Sequence, residues 1–225
     1  MAGKPIFLTQ LASDLSLEKT SELLEPILKR LNPNEFQLLM AVPYGFIDQF
    51  APKYPEVSFG VDHLLDINEG AFTAPIAARI LTEAKAQFVI LRLNQAVPKI
   101  RYALKAGVPP FVVIEADSEE AIRQQLSSLG ELKPEEKQKL SLIYDPAGMA
   151  SQEFRPDREK LIESFSLFRK VVDEAGPFQN VLGSIPENTV DIAPLLQASH
   201  LDGVYLQNAQ RHLSQVESIV VKIDA

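Results

Sequence analysis

Charged side chains stand at the ends of several short apolar runs in this sequence. Arg92 ends the run QFVILR, Glu115 ends PFVVIE, and Asp145 directly follows LSLIY. A carboxylate in such a place is a candidate general base, and an arginine that follows a buried strand needs a carboxylate partner or an anionic ligand. Two explanations of Arg92 stay open at this point: an ion pair with Glu115 or Asp145, or a role in anion binding.

Other familiar chemistries have little support in the sequence. The chain has no cysteine, so a disulfide, a thiolate metal site or a cysteine nucleophile is excluded. The motifs GxGxxG, GxxxxGK[ST], HExxH and GxSxG are missing, which removes the usual support for nucleotide, zinc-hydrolase and serine-hydrolase functions. We therefore expect no cofactor and no metal, and we expect His63, His200 and His212 to lie on exposed loops or helix ends.

Eight short apolar runs alternate with segments of helical periodicity. The runs span residues 6–10, 36–42, 57–61, 87–92, 110–115, 140–144, 180–184 and 202–206. They are almost continuously apolar, which is typical of parallel strands that are buried on both faces. Strand–helix alternation requires crossover connections, so the sequence predicts an α/β fold, a single (β/α)₈ barrel domain over residues 1–225. Functional residues of such a barrel lie at the carboxyl ends of its strands.

The charge balance of the chain is acidic. Its 225 residues include 22 lysines and arginines and 30 aspartates and glutamates, for a net charge of -8. Because no stripe of basic residues is present, nucleic acid is not an expected partner. No segment approaches the roughly 20 apolar residues of a membrane span, and no export signal is evident, so we expect no membrane association and a cytoplasmic location.

Several segments resemble the triosephosphate isomerase family, in the same order along the chain. GVDHLLDINEGAFTAP followed by AQFVIL is similar to the third and fourth strands of that family with the long third loop between them. AVP, LIYDP, LGSIPEN and LDGVYL fit further family elements in order. The resemblance covers essentially the whole chain. It implies a TIM barrel and, in an active member, interconversion of dihydroxyacetone phosphate and glyceraldehyde 3-phosphate in glycolysis and gluconeogenesis.

The residues that carry the family's proton transfer are changed. That chemistry needs a lysine, a neutral imidazole and a carboxylate base. Aligned on the segments above, Gln10 stands where the family has asparagine, Ala12 where it has the lysine, and Leu93 where it has the histidine. Asp145 replaces the glutamate base and is one methylene shorter, and the lid segment after it lacks the family's tryptophan. The resemblance therefore implies weakened or lost catalysis.

The phosphate-binding positions are only partly retained. Gly183 and Ser184 keep the glycine–serine pair of the seventh loop, whereas Gln207 and Asn208 replace the glycine pair after the eighth strand. Arg92 stands where the family has glycine. The expected substrate-binding residues, as the resemblance carries them over, are Gln10, Arg92, Gly183, Ser184, Gln207 and Asn208.

Three functions are consistent with these residues. The first is a non-catalytic homologue that keeps a weak site for a small phosphorylated or carboxylated metabolite, serves in assembly, or does both. The second is a working triosephosphate isomerase, which a lysine such as Lys4 or Lys99 in the place left by Ala12 would favour. The third is a different enzyme on the same fold, with Asp145 or Glu115 as the general base.

The third loop predicts a dimer. In the family that this chain resembles, the corresponding loop reaches into a neighbouring subunit. An apolar pair and the GAFT tip of this loop are hard to justify on the surface of a monomer. We expect a homodimer, or a heterodimer with an intact relative, through the loop residues Leu64, Leu65, Gly70, Ala71, Phe72 and Thr73.

Overall fold

Eight parallel strands form one sheet in the computed structural model, which describes residues 4–11, 15–30, 33–64, 81–93, 96–146, 158–185 and 192–207. The strand order is β3-β2-β1-β8-β7-β6-β5-β4. The strands are β1 Ile6–Gln10, β2 Gln37–Ala41, β3 Val57–Gly60, β4 Val89–Arg92, β5 Pro110–Ala116, β6 Ser141–Pro146, β7 Val181–Ser184 and β8 Gly203–Leu206.

The two end strands of this order, β3 and β4, meet and close the sheet. Val61, directly after β3, forms a parallel bridge with Val89. The amide of Ile90 donates to the carbonyl oxygen of Val61 over 2.8 Å, and the amide of Gln87 donates to that of Phe59 over 2.8 Å. Closure leaves no free edge strand, and the predicted (β/α)₈ barrel is confirmed.

The helices lie outside the barrel and follow the strands. Within the described ranges they are α1 Leu17–Arg30, α2 Ile47–Phe50, α3 Ala96–Lys105, α4 Glu119–Ser127, α5 Pro134–Lys137, α6 Arg158–Ala175 and α7 Ala193–Ser199, with 3₁₀ turns at Tyr44–Phe46 and Ser128–Glu131. Apolar residues at helical spacing bury one face of each longer helix against the strands; α6 does so with Leu161, Phe165, Phe168, Val171 and Val172. None of these described helices has the length and hydropathy to span a membrane.

Alternate residues of each strand enter two separate cores. The outward-facing residues pack under the helices in the larger core. The inward-facing residues fill the barrel interior, which contains Ile6, Leu8, Leu39, Ala41, Phe88, Ile90, Phe111, Val113, Ile143, Leu182 and Tyr205. This division explains why the strands are apolar on both faces. Where β8 meets β1, a Cβ on Gly203 would lie 2.2 Å from the carbonyl oxygen of Ile6, so that only glycine fits there.

Candidate functional site

Strand alternation places five polar side chains at the carboxyl mouth of the barrel. Side chains two residues apart on a strand share one face. In five strands, a polar residue follows an interior residue by two positions and therefore faces the barrel interior at the carboxyl end of the strand. These strands are β1, β4, β5, β6 and β7. These residues are Gln10, Arg92, Glu115, Asp145 and Ser184, and we call them the mouth cluster.

Asp145 is the buried carboxylate of this cluster, at 8% exposure. Burial in the mouth raises its pKa above the ordinary value of 3.8, while the hydroxyl of Ser184, which donates a hydrogen bond to the carboxylate, and the positive charge of Arg92 act in the opposite direction. Burial outweighs both because the carboxylate loses most of its hydration. Asp145 is therefore positioned as a proton acceptor or donor, with Ser184 holding its orientation.

Arg92 is ion-paired with Glu115 across the neighbouring strands β4 and β5. Residue 92 lies opposite Val113 in the ladder, so Glu115 extends from two positions further along β5. Both side chains remain about half exposed, at 55% for Arg92 and 51% for Glu115. Of the explanations left open by the sequence, the structure shows the pair with Glu115, and Asp145 acts on the same guanidinium at longer range.

A tyrosine hydroxyl from β8 lies beneath the mouth. Tyr205 is 2% exposed, and its hydroxyl donates to Oε1 of Gln10 over 2.5 Å. Burial raises the pKa of this phenol well above its ordinary range, so it stays neutral and acts as a donor. The sequence interpretation missed Tyr205. The signal for it is the alternation along DGVYL, which places Gly203 and Tyr205 on the inner face.

A histidine–aspartate pair lies on the rim, at the end of β3. Nδ1 of His63 lies 2.8 Å from Oδ1 of Asp62, and the imidazole is about half exposed. The hydrogen bond to Asp62 raises the pKa of His63, and the nearby positive charge of Lys99 partly opposes that rise. The exposed position agrees with the loop location expected for His63. Lys99 thus lies near the rim, whereas Nζ of Lys4 binds the carbonyl oxygen of Pro33 over 2.8 Å at the opposite end of β1.

Gly183 faces away from the mouth. A Cβ at this position would lie 2.7 Å from Cζ of Phe165 on α6 and 2.8 Å from Cδ1 of Leu201. The need for glycine here is therefore explained by packing against the helix layer. Its neighbour Ser184 points the other way, toward Asp145.

The remaining predicted positions give less information. Gln207 is partly buried just after β8. Leu64 is 6% exposed within the single chain, which corrects the expectation that this residue needs a partner to cover it. Outside the described residues lie Ala12, Asn208, the lid after Pro146, and the loop residues Leu65, Gly70, Ala71, Phe72 and Thr73.

Leu93 contacts the outer core. It is partly buried and packs against the hydrophobic cluster beneath the helices. At the position where the resemblance places an imidazole, the chain therefore has an apolar side chain engaged in packing. In the described part of the chain, no group of three or more His, Cys, Asp or Glu side chains is arranged to hold a metal ion.

The closed barrel with polar residues at the carboxyl ends of its strands defines a protein of the TIM-barrel class. A sequence profile of the family described as triosephosphate isomerase matches residues 12–92. The chain is also similar to the triosephosphate isomerase of Protochlamydia amoebophila (strain UWE25), with 25% identity over 214 aligned residues that cover 82% of this chain and 80% of that protein. Both similarities support a relationship between this chain and the triosephosphate isomerase family.

Proposed function

We propose that this chain is a triosephosphate isomerase homologue that has lost effective isomerase activity, and that its barrel mouth binds a small phosphorylated or carboxylated metabolite. The observation that supports this most directly is the ion pair between Arg92 and Glu115. The one cation on the described inner face of the mouth cluster is engaged by a carboxylate. Leu93, in the place of the family's histidine, packs against the outer core.

The expected loss of rate is large. Removing one donor that stabilises a developing oxyanion raises a barrier by about 3 to 4 kcal/mol, and the residues at the positions of both the lysine and the histidine, Ala12 and Leu93, are apolar. The shorter Asp145 withdraws the base by about 1 Å, which alone costs on the order of 100-fold. These losses are not additive. We expect the activation barrier of the isomerase reaction to rise by roughly 6 to 10 kcal/mol, which is the effect of losing one to two such donors and withdrawing the base.

The groups that support binding are the donors of the mouth cluster. The guanidinium of Arg92 is half exposed and can be reached by an anion. The hydroxyl of Ser184 and the amide of Gln10 lie on the same inner face, with Tyr205 beneath them. An arginine with neighbouring neutral donors is a common arrangement for recognising a carboxylate or phosphate. We assign Gln207 and Asn208 to the same site as proposed outer contacts.

A coupled assay with glyceraldehyde 3-phosphate tests the loss of catalysis. We expect turnover at least about 10,000-fold below that of an ordinary family member, the factor that corresponds to a barrier rise of about 6 kcal/mol. Turnover within about 100-fold would contradict the proposal and favour the working isomerase.

A different reaction based on Asp145 is the second candidate, because this carboxylate is buried, oriented by Ser184 and close to Arg92. A metabolite panel followed by thermal shift, with Asp145→Asn as the comparison, tests it. A compound that is chemically converted by the wild type but not by Asp145→Asn would establish this second function.

A dimer formed through the third loop is a further proposal. It rests on the resemblance, since Leu64 is covered by its own chain. Light scattering at several protein concentrations tests it. A monomer at every concentration would contradict a homodimer.

A further inference from the structure

The balance of charge around Arg92 restricts which anions the mouth can accept. Glu115 contacts the guanidinium directly, and Asp145 lies opposite Glu115 in the ladder between β5 and β6. One guanidinium thus contacts one carboxylate, Glu115, and acts at longer range on a second, Asp145. An anion that binds Arg92 competes with Glu115 for the guanidinium, and when it displaces Glu115 it adds a further negative charge to this group.

The backbone of Glu115 holds the displaced carboxylate close by. Its carbonyl oxygen accepts a hydrogen bond from the side-chain amide of Gln125 on α4, and its strand pairs with β6 through residue 116. Only the side chain of Glu115 is free to move, so its carboxylate stays near any ligand at Arg92. Water can then solvate this half-exposed carboxylate, but a cationic group of the ligand is the stronger hydrogen-bond partner.

We infer that Glu115 makes the mouth selective for zwitterionic ligands, in which an ammonium group accompanies the phosphate or carboxylate. The anionic group of such a ligand takes the place of Glu115 on Arg92, while its ammonium pairs with the released carboxylate. A simple anion restores only one of the two contacts and meets repulsion from Glu115 and Asp145. This inference rests on the proposed anion site and adds the chemical class of its ligand.

Two probes of equal heavy-atom count test the inference by calorimetric titration. 2-Aminoethyl phosphate and propyl phosphate differ only in an ammonium group against a methyl group. We expect the wild type to bind the amine about 2- to 5-fold more tightly, the range for a partly exposed ion pair. We expect Glu115→Gln to lose this preference. Compared with its affinity for the wild type, propyl phosphate should bind the variant more tightly, whereas 2-aminoethyl phosphate should not.

The controls separate Glu115 from a general effect of charge. Glu119→Gln removes one negative charge from α4, where Glu119 pairs with Arg123, and we expect it to keep the preference. Arg92→Met should weaken both probes. Circular dichroism and thermal unfolding of each variant establish that it is folded before titration.

Each outcome has one meaning. Equal affinity of the wild type for the two probes, or an unchanged preference in Glu115→Gln, overturns the selectivity while leaving the anion site in place. Failure of both probes to bind wild type and Glu115→Gln overturns the anion site and the inference together. If Glu119→Gln loses the preference to the same extent, the preference comes from overall charge, and the role of Glu115 is overturned.

Discussion

Replacing Gly183 by alanine separates a packing role of this residue from a role in ligand binding. An alanine Cβ would lie 2.7 Å from Cζ of Phe165 and 2.8 Å from Cδ1 of Leu201. Carbon atoms pack at about 3.5 to 4.0 Å, so these side chains must move by roughly 1 Å. Phe165 is fully buried and meets Tyr144 edge to face, with ring centroids 6.2 Å apart. It therefore has little room to move.

The expected cost of Gly183→Ala is about 1 to 3 kcal/mol in the free energy of unfolding, the range for an overpacked core. Urea denaturation followed by circular dichroism measures it, with tyrosine fluorescence as the second probe because the chain has no tryptophan. Gly130→Ala is the matched control. No atom lies within 4 Å of its added Cβ, so we expect a change within about 0.5 kcal/mol.

A second substitution tests the cause. Phe165→Leu makes room for the added methyl group, so Gly183→Ala should cost less in that background than in the wild type, as a double-mutant cycle would measure. Wild-type stability of Gly183→Ala together with weaker phosphate binding would refute the packing argument. That result would assign Gly183 to the ligand site, as the resemblance implies.

Two further predictions concern titration at the mouth. Burial raises the pKa of Asp145, so the folded protein binds a proton at this carboxyl more tightly than the unfolded chain does. The contribution of Asp145 to stability is therefore most favourable below about pH 4, and it falls as the pH rises through the raised pKa. Asp145→Asn removes this pH dependence. In urea titrations, the free energy of unfolding of the variant minus that of the wild type should therefore rise between pH 4 and pH 7. A difference that does not vary with pH would contradict the raised pKa of Asp145. Because the hydrogen bond to Asp62 raises the pKa of His63, Asp62→Asn should lower that pKa in an NMR titration of the imidazole protons. An unchanged midpoint would show that the pair does not persist in solution.

The alternating strands and helices could be predicted from local sequence. The run PFVVIE became β5, Pro110–Ala116, and LSLIY became most of β6, Ser141–Pro146. Both strands are buried on two faces, so nearly every residue is apolar, and this pattern does not depend on the neighbouring strand. The positions of Arg92, Glu115 and Asp145 at strand ends could be predicted for the same reason.

The side of the sheet to which each side chain points was harder to predict. Gly183 and Ser184 are adjacent in sequence, yet one packs against Phe165 and the other contacts Asp145. A shift of one residue in strand alignment exchanges the two faces, so a motif resemblance does not decide between them. Tyr205 and Gln10 are separated by 195 positions, and no local pattern relates their side chains.

The sequence by itself determined that this chain builds alternating strands and helices and that charged groups follow several of the strands, because hydrophobic periodicity and strand ends are local properties. Only the tertiary structure decided which carboxylate neutralises Arg92, which one is buried, and which glycine lies against a helix. The order and register of the strands in the closed barrel, which bring β4 beside β5 and β5 beside β6, set those contacts, and they depend on packing between residues that are far apart in the chain.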